Sequence, residues 1–109
     1  MLDVRLYLAQ RLTALIMAPL VIGHLVLMIY AVRGGLDANE ILSRTQGSVW
    51  WGLYYGLFVV AVAVHAAIGL RVVVHETLNI KGPALGAFTA IVAIVLLALG
   101  ARAVVAVVM

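Results

Sequence analysis

The chain has 109 residues, 67% of them hydrophobic and 10% charged, with seven basic residues, four acidic ones and no cysteine. A soluble domain is nearer half apolar and a quarter charged, so a soluble enzyme, a nucleic-acid binder and a disordered chain are all excluded. The net charge of +3 comes from residues scattered singly, which suits anchoring at membrane ends better than a nucleic-acid partner. Without cysteine the chain supplies no disulfide, thiolate-held metal or iron–sulfur cluster.

The opening run, Met1 to Tyr7, has no basic start and no small-residue cleavage site, so no removable leader is expected. Beyond it, charges divide the sequence into three apolar stretches. They hold 21 uncharged residues from Leu12 to Val32, 26 from Thr45 to Leu70 and 20 from Gly82 to Ala101. Each is long enough to cross a bilayer as a helix, which needs about 20 residues. The expectation is an all-α membrane protein, one domain over residues 1–109. Helix I is placed at about 10–32, helix II at about 49–75 and helix III at about 84–107. That leaves no length for a soluble catalytic domain.

Pro19 removes a backbone hydrogen bond to Leu15 and is expected to kink helix I. The first connection opens with Gly34-Gly35, a pair suited to a helix C-terminus, and Asp37 and Asn39 suit the cap of a short interfacial turn. Trp50, Trp51, Tyr54 and Tyr55 then form an aromatic belt where helix II enters lipid, with Tyr30 at the same level of helix I. Gly82-Pro83 breaks the chain before helix III. Three spans put Arg5, Arg11, Arg71 and Lys81 on one side and Arg33, Arg44 and Arg102 on the other, a balance that favours a cytoplasmic N-terminus.

In so apolar a chain the informative positions are those that are costly to bury, and an ionisable residue within a span is a functional candidate. His24 in helix I and His65 in helix II qualify; His75, beside Glu76, sits at an interface and needs no special role. His65 lies roughly 15 Å from the end of helix II, near mid-bilayer. Ala61 and Gly69 flank it one turn away on the same face, which suits a flat porphyrin and equally suits close helix packing. Neutral imidazole is an axial ligand of haem iron, and Arg71, about 9 Å further along the axis, is a candidate for the propionates. The alternative is a histidine hydrogen-bonded across helices.

Arg11 opens helix I with Tyr7 one turn earlier, either as an anchor that snorkels to the interface or as a donor to a propionate or quinone carbonyl. Glu76, three turns past His65, reads as a solvated charge. His24 is thirteen residues from Arg11, hence about 220° around an ideal helix, so one haem is not expected to use both. It can ligate a second haem or hydrogen-bond to a neighbouring helix, and the second reading is preferred.

Gln10-Arg11-Leu12-Thr13-Ala14 resembles the His-Arg-x-Thr/Ser-Gly signature of the succinate dehydrogenase cytochrome b anchor subunits. His65-x-x-x-Gly69-x-Arg71-x-x-x-x-Glu76 is similar to that family's His-x-x-x-Gly-x-Arg-His-x-x-x-Asp. The resemblance implies a b-type haem with His65 as one axial ligand, and Arg11 and Arg71 near quinone or propionates, with Tyr7 beside them. It also implies a ubiquinone or menaquinone substrate and a second axial histidine from another chain. The implied partners are a second small anchor subunit, an iron–sulfur subunit and a flavoprotein subunit, which carry the Fe–S clusters and FAD, all at a bacterial inner membrane. Tyr7 stands where that family has serine, Gln10 and Val72 where it has histidines, and Glu76 where it has aspartate. The companion small subunit has a similar His-x-x-x-Gly helix, and Arg71 leans the assignment toward the cytochrome b subunit. The alternatives are a haemless fumarate-reductase-type anchor and a small non-redox transport or assembly protein.

Overall fold

Three long apolar stretches with no strand signal dictate helices, because in lipid each backbone polar group must be satisfied within its own segment. A computed structural model describes residues 4–109 and contains four helices, α1 (Val4–Arg33), α2 (Ala38–Thr45), α3 (Val49–Leu78) and α4 (Pro83–Val108). Three of them, α1, α3 and α4, are long and apolar enough to cross a membrane.

Two expectations are corrected. The first span begins at Val4 rather than near residue 10. Charge marked the apolar boundary at Arg11, but a helix can extend into the interfacial region, and here the Arg11 guanidinium lies 5.7 Å from the centroid of the Tyr7 ring one turn away. The expected interfacial turn is a two-turn helix, α2, whose Asp37 cap accepts from the Asn39 N–H at 3.0 Å. α1 also continues through Pro19 as one helix.

α1 ends in a Schellman motif. Leu36 N–H donates to the Ala31 carbonyl and Gly35 N–H to the Val32 carbonyl, with Gly35 at φ 88°. Glycine takes that left-handed conformation without the cost a Cβ brings, whereas Leu36 beside it bears that cost at φ 56°.

α3 is the central element: α1 and α4 both pack on it, each antiparallel to it. Small residues set the close approach. A Cβ on Gly100 would run into the Val59 side chain, and one on Gly23 would sit 2.7 Å from the Tyr54 hydroxyl. The few sealed positions follow the same logic, with Ala61, Ala63, Ala67 and Ile68 of α3 and Leu85 of α4 buried. Large apolar side chains face outward, as lipid permits.

The short α2 latches the far end of α4. Thr45, 1% exposed, donates its hydroxyl proton to the Val107 carbonyl at 2.6 Å, and Gly47 N–H donates to the Val108 carbonyl at 2.7 Å. Those carbonyls have no partner within α4, so the latch satisfies groups that a helix C-terminus leaves open. Replacing Thr45 with Val should therefore destabilise the chain by about 1–3 kcal/mol, read as a lower thermal midpoint of the detergent-solubilised complex. An unchanged midpoint would contradict the latch.

Candidate functional site

Apart from His75 near the end of α3, two histidines face α3 or sit on it, and the register of α1 against α3 decides what each can do. Thr13 and His24 are eleven residues apart, three turns of α1, so they share one stripe and both meet α3. Arg11 is two residues from Thr13 and so points about 200° away, out of the bundle. It is exposed, over the exposed ring of Tyr7.

At one level, Thr13 Oγ1 lies 3.2 Å from His65 Nδ1. The Thr13 hydroxyl also lies 2.7 Å from the Ala9 carbonyl and 3.0 Å from the Gln10 carbonyl. His65 is half-buried, and its Nε2 makes no hydrogen bond among the described residues and is not one of the chain's sealed, unpartnered atoms. One nitrogen of the ring is thus engaged by α1 while the other is unpartnered among the described residues and not sealed. Gly69, the next small residue along the face, lies beside Gln10: a Cβ there would be 3.5 Å from Gln10 Nε2. Gln10 Oε1 is buried with no partner among the described residues. Of the two small residues expected to flatten this face, Ala61 is sealed in the bundle.

Arg71 takes a different direction. Its Nη1 donates to Thr89 Oγ1 of α4 at 3.3 Å, and that hydroxyl in turn donates to the Leu85 carbonyl at 2.9 Å. Its Nε is buried and unpartnered, and no carboxylate pairs with it among the described residues, where the one ion pair is Arg44–Glu40 at 2.8 Å. Arg71 is therefore a partly buried cation with no anionic partner among the described residues. Its six-residue offset from His65 turns it about 120° away from the α1-facing side, so this chain alone does not bring Arg11, Arg71 and His65 to one point.

The His24 end is aromatic. His24 meets the Phe58 ring edge-on at 5.2 Å and the Tyr55 ring at 6.4 Å, and it makes no hydrogen bond among the described residues. The expected hydrogen bond from His24 to a neighbouring helix is therefore replaced by ring contacts. It borders a groove of about 540 Å³ whose other walls include Val62 of α3 and Leu96 and Val104 of α4. Phe58 is seven residues from His65, about 10 Å along α3, so the two histidines cannot face each other across one iron.

Sequence reasoning missed three residues here. Thr13, Tyr54 and Thr89 are neutral and cost little to bury, so they carried no alarm, yet each closes a hydrogen bond between helices. The signal that could have found them is the hydroxyl itself, since a polar group inside lipid needs a partner. Expected outside the site, His75 closes the α3–α4 connection through Nδ1 on the Ile80 carbonyl at 3.1 Å, and Glu76 is exposed.

Tyr54 donates its hydroxyl proton to the Leu20 carbonyl at 2.6 Å and fixes the α1–α3 register near the His24 end. Tyr54→Phe should lower stability by about 0.5–1.5 kcal/mol, measured by reversible unfolding in bilayers or mild detergent. No loss would show that the contact does not hold the register.

Comparison with known families matches residues 1–105 to the family described as succinate dehydrogenase/fumarate reductase transmembrane subunit. The comparison with curated proteins returned no match, and neither did that with solved structures.

Proposed function

The chain belongs to the succinate dehydrogenase/fumarate reductase transmembrane subunit family, and from that premise we propose that it is a haem b-binding anchor that passes electrons from an iron–sulfur subunit to quinone. It is a subunit of a larger complex, and in this reading it does no succinate chemistry itself. The observation that carries the reading is the division of labour on His65, with Nδ1 engaged by Thr13 and Nε2 unpartnered among the described residues and not sealed. An axial ligand needs a neutral ring with one free lone pair and its other nitrogen held.

The residues present fit the group in two respects. His65 offers one lone pair, and His24, about 10 Å away along α3, cannot supply the second to the same iron, so another chain must. Arg71 is a cation with no anionic partner in the described chain, as a propionate requires. Haem would supply a one-electron relay between the iron–sulfur clusters and quinone. What this chain does is hold an imidazole at a fixed orientation near mid-bilayer and keep water from it with an apolar bundle.

Arg11 and Tyr7 face away from α3, so they act on quinone only at a boundary with another chain. That supports a hetero-oligomer with a second small anchor subunit, beneath iron–sulfur and flavoprotein subunits. A bacterial inner membrane with the N-terminus cytoplasmic completes the proposal. The family match supports an anchor over a small transport or assembly protein. A haemless anchor is the second reading, because a packing histidine would also bond Thr13; it gives the unpartnered Nε2 no task.

Three substitutions test the assignment. His65→Ala should remove the low-spin b-haem spectrum from the assembled complex; unchanged haem content would sink it. Arg11→Ala should lower quinone reduction about tenfold or more while soluble acceptors still draw electrons from the other subunits. Equal quinone activity would refute that role. His24→Phe should leave haem content unchanged, since its contacts are ring edges; loss of one of two haems would instead assign it a second iron.

A further inference from the structure

The hydroxyl of Thr13 has one proton and three neighbours. Two are carbonyl oxygens, Ala9 at 2.7 Å and Gln10 at 3.0 Å, and the third is His65 Nδ1 at 3.2 Å. A carbonyl oxygen can only accept, so its close approach to another oxygen is favourable only with a proton between them. The Ala9 contact is also the shortest of the three, which places the proton there. Thr13 then faces His65 with a lone pair. A lone pair is satisfied at 3.2 Å only by a ring nitrogen that carries hydrogen.

We propose that Thr13 is a positioning residue for His65: it accepts the Nδ1–H, selects the tautomer with a bare Nε2 and fixes the plane of the ring. This rests on the haem reading and deepens it. Donating to Ala9 polarises the hydroxyl oxygen and strengthens it as an acceptor. A hydrogen bond from Nδ1–H makes the ring more basic, so Nε2 becomes a better donor to ferric iron. In lipid the pairing has a second effect. No water competes for Nδ1, so removal of the hydroxyl leaves a buried N–H with no acceptor, and the ring gains by changing tautomer or turning. Either change moves the lone pair away from where it is needed.

The mechanism predicts opposite behaviour for two small changes. Thr13→Val keeps the branched side chain and removes the acceptor; Thr13→Ser keeps the acceptor. The first measurement is nitrogen NMR of uniformly ¹⁵N-histidine-labelled complex from haem-deficient cells, with the His65 signals identified by their absence in His65→Ala. Wild type and Thr13→Ser should show Nδ1 protonated and Nε2 bare; Thr13→Val should show a mixture or the opposite tautomer. The second is made on the haem-loaded complex, with electron delivery to soluble acceptors as the check on assembly. Thr13→Val should weaken haem binding about 10–100-fold and move the haem potential in the positive direction, while Thr13→Ser restores both.

A wild-type signal with Nε2 protonated would overturn the proposal even if Thr13→Val failed to assemble. So would a Thr13→Val complex with an unchanged tautomer, haem affinity and potential. The haem reading fails separately: if His65→Ala keeps its haem, His65 is not the ligand, whatever its tautomer.

Discussion

A polar group carried into lipid has no water to fall back on, and the bundle is arranged around that constraint. Among the described residues, each side-chain hydrogen bond that joins one spanning helix to another ends on α3. Thr13 meets His65, Tyr54 meets the Leu20 carbonyl, and Arg71 meets Thr89. With so little buried surface, these bonds and the small residues between them set the register of α1 and α4. The hydrophobic effect inserts the helices but does not choose among their registers, since lipid tails are as apolar as the side chains.

The register produces a division along the long axis. Midway along α3 and toward its C-terminal end, a histidine is engaged through Nδ1 and unsealed at Nε2, and beyond it Arg71 has no anionic partner among the described residues. At the other, His24 lies among aromatic rings above a groove, and α2 closes over the C-terminus of α4. Tyr7 and Arg11 turn away from the bundle altogether. An unsealed histidine nitrogen, a partly buried arginine with no carboxylate among the described residues and an outward-facing Arg–Tyr pair suit a subunit of a membrane complex.

The three spans were legible because length and hydropathy suffice for them, and His65 was legible because a histidine among Val, Ala and Ile is conspicuous. The start of α1 was not, since Arg5, Tyr7 and Arg11 interrupt the apolar pattern while still favouring helix at an interface. Thr13 was quoted within a motif without a role, because its role depends on a residue 52 positions away. Arg71 was expected near the same group as His65; the helical period turns it about 120° from that face, and only the fold shows it against Thr89 of α4. Sequence spacing gives faces, whereas the choice of neighbour requires the fold.

The account stands on where His65 Nε2 points and what it meets. The most direct measurement is a structure of the assembled complex at a resolution that places iron and imidazole separately. The account predicts haem iron on His65 Nε2, a histidine of another subunit on the opposite face, and Thr13 Oγ1 within hydrogen-bond distance of Nδ1. A side chain, lipid tail or helix packed against Nε2, with no iron beside it, would contradict it.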